Sequence, residues 1–166
     1  NSFSQLVVES VDTDITIDFD STISGVNNGQ YDGSGLELIP SAGQLNSNAW
    51  KFTGFSDGNT SFGGDYNSGD YARGSSTGYV GSGGMYSFEV ASNDYSLGFQ
   101  QTGSDFTPGL ITLKILNNTG STVTKFNISY EFWHLDNESN GIQKTFYYTI
   151  GDSGNDNYID SFDHYP

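Results

Sequence analysis

The chain has 166 residues with 5 Lys and Arg against 20 Asp and Glu, a formal net charge of −15. Nucleic acids and anionic membranes are therefore excluded as expected partners, because both are bound through clustered basic side chains. The chain contains no Cys, which excludes disulfides and thiolate metal sites. No apolar run reaches the roughly 18 residues of a membrane-spanning helix, so we expect no membrane insertion.

Alternation of apolar and polar residues predicts half-buried antiparallel strands along most of the chain. In chain order, the predicted strands are Leu6–Val8, Ile15–Phe19, Leu36–Ile39, Tyr86–Val90, Tyr95–Phe99, Ile111–Leu116, Val123–Phe132 and Phe146–Ile150. The turn signal Asn118-Thr119-Gly120 predicts a hairpin between the strands on either side of it, with Gly120 at positive φ.

These strands predict an all-β fold, in which two antiparallel sheets pack as a jelly-roll-like β-sandwich of about eight strands. Aromatic residues are numerous, and we expect Trp50, Phe52 and Trp133 to fill the core. Residues 56–84 form a long Gly-rich loop without predicted strands, a kind of segment that is often functional. The acidic tail from Gly151 onward is also predicted to be poor in strands. We expect a single domain over residues 1–166.

Several short sequence strings resemble a recurrent secreted bacterial β-sandwich module of Bacteroidetes-type exported proteins. They are Leu97-Gly98-Phe99-Gln100, Asp105-Phe106-Thr107-Pro108-Gly109, Ile111-Thr112-Leu113, Asn117-Asn118-Thr119-Gly120, Ala49-Trp50, Gly54-Phe55-Ser56-Asp57-Gly58 and Arg73-Gly74. The resemblance covers roughly residues 15 to 150 and implies a secreted or cell-surface location beside adhesive, lectin-like or degradative domains. Such modules usually have no assigned activity.

The C-terminal end departs from that resemblance. Modules of this kind would add further strands and an apolar-Asp-Asp-apolar signature, which are not found before Pro166. Either the chain is truncated, or another segment completes the sheet, or the match is imperfect. An open sheet edge would otherwise promote association with other chains.

Catalytic motifs are weak, and we predict that the chain is not an enzyme. His134 and His164 are the two residues that could serve as a histidine base, and no Gly-x-Ser-x-Gly elbow marks a nucleophile. Acidic residues are so numerous that a pair of carboxylates carries no signal for glycosidase chemistry.

Exposed aromatics next to Asn, Asp or Arg side chains are typical of glycan recognition. Two sets fit this description. We therefore predict that two groups of residues bind ligand. The first is Tyr66, Tyr71, Arg73 and Tyr79 in the long loop, and the second is Trp133, His134 and Asn137 near the end of a strand. The alternative for the loop tyrosines is a structural role as anchors of a Gly-rich segment.

Calcium is the metal that carboxylates and carbonyl oxygens favour. Two acidic groups predict calcium ligands: Asp57, Asp65 and Asp70 in the long loop, and Asp152, Asp156 and Asp160 in the tail. A solvated acidic surface is the alternative for each group.

These features predict a non-catalytic extracellular module that recognises glycan or a cell-surface protein, with assistance from calcium. The alternative function is a structural or adhesive subunit of an extracellular assembly, in which neighbouring strands complete open sheet edges.

Overall fold

The computed structural model describes residues 5–135, 142–151 and 157–164, which form an all-β structure, as the sequence predicts. Apart from one 3-10 turn at Gly69–Tyr71, the regular elements are strands. They are β1 (Leu6–Val8), β2 (Asn27–Asn28), β3 (Leu36–Glu37), β4 (Gln44–Asn46), β5 (Trp50–Thr53), β6 (Ser75–Ser76), β7 (Gly84–Ala91), β8 (Asp94–Gln100), β9 (Leu110–Leu113), β10 (Ile115–Asn117), β11 (Ile142–Tyr148) and β12 (Asn157–His164).

The chain divides into two compact units, Asn1–Glu131 and Phe132–Pro166. In the first unit, strands pair in the orders β2-β4-β3, β6-β7-β8, β5-β9 and β1-β10. The pairs β2-β4, β5-β9 and β7-β8 are antiparallel, whereas β3-β4, β6-β7 and β1-β10 are parallel. This arrangement is consistent with a sandwich-like fold, although the pairing of the described strands does not define a closed jelly roll.

The second unit contains the antiparallel pair β11-β12, which runs from Ile142 opposite His164 to Tyr148 opposite Asn157. The prediction of a strand-poor tail is therefore wrong for Asn157–His164. Acidic residues interrupt the apolar alternation in this segment, but its backbone hydrogen-bonds to β11, whose alternation is clear. A pairing partner thus compensates for a weak local pattern.

The first unit is built around a continuous row of aromatic rings, which we call the aromatic column. Phe19 contacts Trp50, Trp50 stacks on Phe52 with 6.1 Å between ring centroids, and Phe52 contacts Phe99 at 5.6 Å. The row continues through four further rings, Phe55, Phe106, Tyr71 and Tyr66. Trp50 and Phe52 are buried, as the sequence predicts.

Three further predictions differ from the structure: the strand Ile15–Phe19, the core position of Trp133 and the hairpin at Asn118–Gly120. Ile15–Phe19 is not a strand, because Phe19 has a left-handed backbone (φ 60°) and the Asp18 carboxylate accepts hydrogen bonds from the next turn. Its apolar residues still contribute, since Ile17 and Phe19 pack against the core. Trp133 is 47% exposed, so its placement in the core is wrong.

The predicted hairpin at Asn118–Gly120 does not form. Gly120 has positive φ (72°), as expected, and β9 and β10 occupy most of the first predicted strand. Residues 122–131 belong to no strand. Apolar and polar residues do alternate in this segment, but no described strand pairs with it.

Truncating the centre of the aromatic column should destabilise the first unit. We expect Phe52→Ala to lower the free energy of unfolding by about 3–5 kcal/mol, because the side chain is fully buried between two rings. Chemical denaturation would measure the change. Ile39→Ala is the control, since Ile39 is 83% exposed and its loss should cost less than about 0.5 kcal/mol. Equal effects of the two substitutions would contradict this account of the core.

Candidate functional site

The long loop of residues 56–84 is held by carboxylates that accept backbone hydrogen bonds. Asp57 and Asp70 cap each other: the Asp70 N–H donates to Asp57 Oδ2 and the Asp57 N–H donates to Asp70 Oδ2, both at 2.8 Å. Gly69 permits this approach, because its φ is +61° and a Cβ there would collide with Asp57 Oδ2. We call Asp57, Asp70 and Asp105 the aspartate cluster.

Asp70 is the most buried member of the aspartate cluster, with 2% exposure. Its carboxylate also accepts the Ser56 hydroxyl at 2.8 Å and forms an ion pair with Arg73. The Arg73 Nε in turn donates to the Gly83 carbonyl at 2.8 Å. One buried carboxylate therefore connects the beginning, middle and end of the loop.

Asp105 fastens the same loop to the turn that precedes β9. Its carboxylate accepts the Ser56 N–H and the Thr102 hydroxyl, each at 2.8 Å, and the Ser104 hydroxyl at 3.2 Å. The hydrogen bond from the Ser56 backbone is the main cause that lowers the pKa of Asp105 from 3.8 to about 2, against the opposing effect of burial. Asp105 is thus an ionised structural acceptor.

The predicted calcium ligands are only partly brought together. Asp57 and Asp70 are neighbours, but backbone N–H groups, a hydroxyl and Arg73 already occupy the carboxylate oxygens named above. Asp65 lies apart and accepts the Leu38 N–H at 3.1 Å. In the described part of the chain, no three His or acidic side chains are grouped to hold a metal ion. Of the tail set, Asp160 lies in β12, and Asp152 and Asp156 lie outside the described residues.

The predicted loop tyrosines separate into two kinds. Tyr66 and Tyr71 pack edge-to-face at the end of the aromatic column, with 5.1 Å between ring centroids. Their hydroxyls bond the backbone of Ser61 and Gly58, and burial is the main cause that raises the pKa of Tyr71. Tyr79, in contrast, is 75% exposed. The alternative role of loop anchor therefore fits Tyr66 and Tyr71, while Tyr79 has the accessibility that a ligand-binding residue needs.

Of the other predicted ligand-binding residues, Arg73 bonds Asp70 and Gly83 in the long loop, and the remaining three lie in the second unit. Trp133 is 47% exposed, and His134 follows it in a segment without regular structure. Asn137 lies outside the described residues.

A shallow depression of about 350 Å³ lies on the sheet β6-β7-β8, whose strand β6 is part of the long loop. Glu89 and Tyr95 are directly opposite each other in the β7-β8 pair, which places both side chains on one face. The lining residues carry hydroxyl groups, one carboxylate and one aromatic ring; they are Ser75, Ser76, Thr77, Glu89 and Tyr95. We call this set the hydroxyl depression.

Hydrogen bonds fix the walls of the hydroxyl depression. The Ser75 hydroxyl donates to the Asp32 carbonyl at 2.9 Å, and the Asn93 N–H donates to Glu89 Oε1 at 3.0 Å. The Ser76 hydroxyl bonds the backbone of Gly78, so the chain turns there toward the exposed Tyr79. Sequence reasoning missed this site, because Glu89 and Tyr95 read as ordinary strand residues until the β7-β8 register is known.

No protein-family model matches this chain, and searches of the curated proteins and of the solved structures find no match either. The resemblance to a secreted bacterial module therefore stays a prediction. None of the described residues belongs to a helix that is long and apolar enough to span a membrane.

Removing the Asp70 carboxylate should loosen the loop. Asp70→Ala leaves the Asp57 N–H, the Ser56 hydroxyl and Arg73 without their acceptor. We expect a loss of about 3 kcal/mol in the free energy of unfolding, measured by urea denaturation. Asp14→Ala is the matched control, because it removes one carboxylate from an exposed position and should change stability by less than about 0.5 kcal/mol. A loss no larger than that of the control would refute the structural role of Asp70.

The lowered pKa of Asp105 predicts a pH dependence. Because the pKa is depressed in the folded state, the stabilisation from the ionised carboxylate is complete above pH 3.8 and is lost as the pH falls toward about 2. Asp105→Asn should therefore be less stable than the wild type at pH 6, and the difference should shrink between pH 4 and 2. Urea denaturation of both proteins at each pH measures this, and a difference that does not change with pH would contradict it.

Proposed function

We propose that this chain is a non-catalytic module that binds glycan through the hydroxyl depression. The observation that carries the proposal is the set of residues that line the depression, in which Glu89 and Tyr95 lie opposite each other on one face of the sheet, next to Ser75, Ser76 and Thr77. Sugars present apolar C–H faces and hydroxyl groups, and sites that recognise them combine aromatic rings with polar groups.

Three residues of the hydroxyl depression would contact the sugar in this proposal. The Tyr95 ring stacks on the C–H face of one sugar residue. The Glu89 carboxylate accepts hydrogen bonds from sugar hydroxyls, and Thr77 Oγ1 donates or accepts at the rim. Tyr79, exposed two residues beyond Thr77, supplies a second ring for a neighbouring sugar residue.

The proposed setting is extracellular, as the resemblance of the sequence implies. The net charge of −15 supports solubility in a medium of high ionic strength. Calcium remains part of the proposal only as an assisting ion, and the binding experiment below includes a chelator to test it.

A second candidate function is that of a structural or adhesive subunit in an extracellular assembly. The exposed apolar residues of the unpaired segment 122–131 favour it. This function does not exclude glycan binding, since the segment and the hydroxyl depression share no residue.

A glycan array probed with the purified chain tests the proposed function. We expect specific glycan binding. Tyr95→Ala should reduce the affinity at least about 10-fold, because it removes the ring that stacks on the sugar. Tyr95→Phe should retain most binding, and Val11→Ala, at a site 61% exposed, serves as the control. Circular dichroism verifies that each variant is folded.

Repeating the array in a chelator tests calcium. Loss of binding in the chelator would place calcium in the site or in its scaffold. Binding that Tyr95→Ala leaves unchanged, or no binding to any printed sugar, would refute the hydroxyl depression as a glycan site.

A further inference from the structure

Residues 122–131 have the features of a strand that lacks a partner. Every residue from 121 to 131 is exposed, and no helix, turn or bend interrupts the chain from 122 to 131. Phe126, Ile128 and Tyr130 are 55%, 46% and 55% exposed and alternate with polar residues. Within the described structure, the backbone of this segment takes part in no strand pairing or backbone hydrogen bond.

Such a segment favours association. Three large apolar side chains at alternate positions form one face, and unpaired N–H and C=O groups form a template for another strand. Addition of a strand would satisfy the backbone and cover the apolar face in one step. The remaining question is which strand the segment accepts.

The distribution of charge distinguishes this region from the rest of the protein. Residues 106–130 contain no Asp or Glu, although the chain has 20 of them, and they contain two of its five basic residues, Lys114 and Lys125. Electrostatic repulsion between two chains of charge −15 is therefore weakest where these regions meet. A close contact between copies is most favourable here.

The sequence of the segment is complementary to itself when two copies run antiparallel. A two-fold axis at Ile128 places the residues before Ile128 in one copy opposite the residues at the same distance after Ile128 in the other copy. The resulting pairs are Lys125 with Glu131, Phe126 with Tyr130, Asn127 with Ser129 and Ile128 with Ile128. Opposite charges thus meet twice, and two aromatic pairs share one face with the central isoleucines.

We propose that residues 125–131 pair antiparallel with the same segment of a second copy, which gives a symmetric dimer. This inference rests on the second candidate function, assembly through an open edge, and is independent of glycan binding. A parallel pairing in the same register is disfavoured, because it would place Lys125 opposite Lys125 and Glu131 opposite Glu131. A contact of seven residues per copy is small, so the dimer should dissociate on dilution.

Charge reversal tests both the partner and the register. In the symmetric dimer, Lys125→Glu places two glutamates opposite each other at both ends of the contact, and Glu131→Lys places two lysines there. Each single variant should weaken dimerisation at least about 10-fold in analytical ultracentrifugation of the full chain across a concentration series. The double variant Lys125→Glu/Glu131→Lys should restore it, because opposite charges meet again.

Mixing the two single variants gives a further test. A heterodimer of Lys125→Glu with Glu131→Lys pairs opposite charges at both ends, so the mixture should associate although each variant alone does not. Lys114→Glu is the charge-matched control: it changes the charge of the region 106–130 by the same amount but lies outside the paired segment, so it should weaken dimerisation less than Lys125→Glu and should not be rescued by Glu131→Lys. Because residues 125–131 are exposed, these substitutions should not affect folding, which circular dichroism verifies.

Three results would overturn the proposal. They are a chain that sediments as a monomer at every concentration, a dimer that the single reversals leave unchanged, and single reversals that the double variant does not rescue. Glycan binding by a variant that stays monomeric would show that the glycan-binding function does not depend on the dimer.

Discussion

Stacking and edge contacts among aromatic rings are the interaction on which the first unit depends. The strands of this unit are short, several of them two to four residues long, and cannot be stable as isolated sheets. The aromatic column compensates, because each buried ring removes about 150–250 Å² of surface from water and connects different sheets. Phe52 of β5 and Phe99 of β8 belong to different sheets, and their contact joins them.

The long loop depends on the aromatic column as well. Tyr71 and Tyr66 extend the column into the loop, and the aspartate cluster fixes the backbone around them. Carboxylates suit this task, because one ionised group can accept several hydrogen bonds from N–H and hydroxyl donors. Part of the large acidic content is therefore structural, and the hydroxyl depression lies where this fixed loop enters the sheet.

The sequence predicts strands well where alternation and pairing coincide. β7, β8 and β11 overlap the predicted strands Tyr86–Val90, Tyr95–Phe99 and Phe146–Ile150. The errors arise where tertiary context decides. Phe19 adopts a left-handed backbone that no alternation reveals, and Val123–Phe132 has the correct pattern but no neighbouring strand.

The candidate site was less predictable for a related reason. Tyr79 is 75% exposed and Tyr66 is partly buried, yet both are tyrosines in the same Gly-rich segment. Their difference depends on the packing of Tyr66 against Tyr71, which in turn contacts Phe55 in the aromatic column, and this tertiary packing is not visible in the local sequence. The pairing of Glu89 with Tyr95 depends on the strand register, which the sequence does not specify, because the register shifts at an irregularity between Glu89 and Ala91.

The parallel pair β1-β10 has a consequence for the order of events during synthesis. Leu6 pairs with Ile115, so β1 is synthesised about 110 residues before its partner strand. At about 5–20 residues per second, β1 waits on the order of 5–20 s before β10 has been made. β1 can therefore join the native structure only after β10 has been synthesised, and native topology with such distant pairing is typical of slow folding.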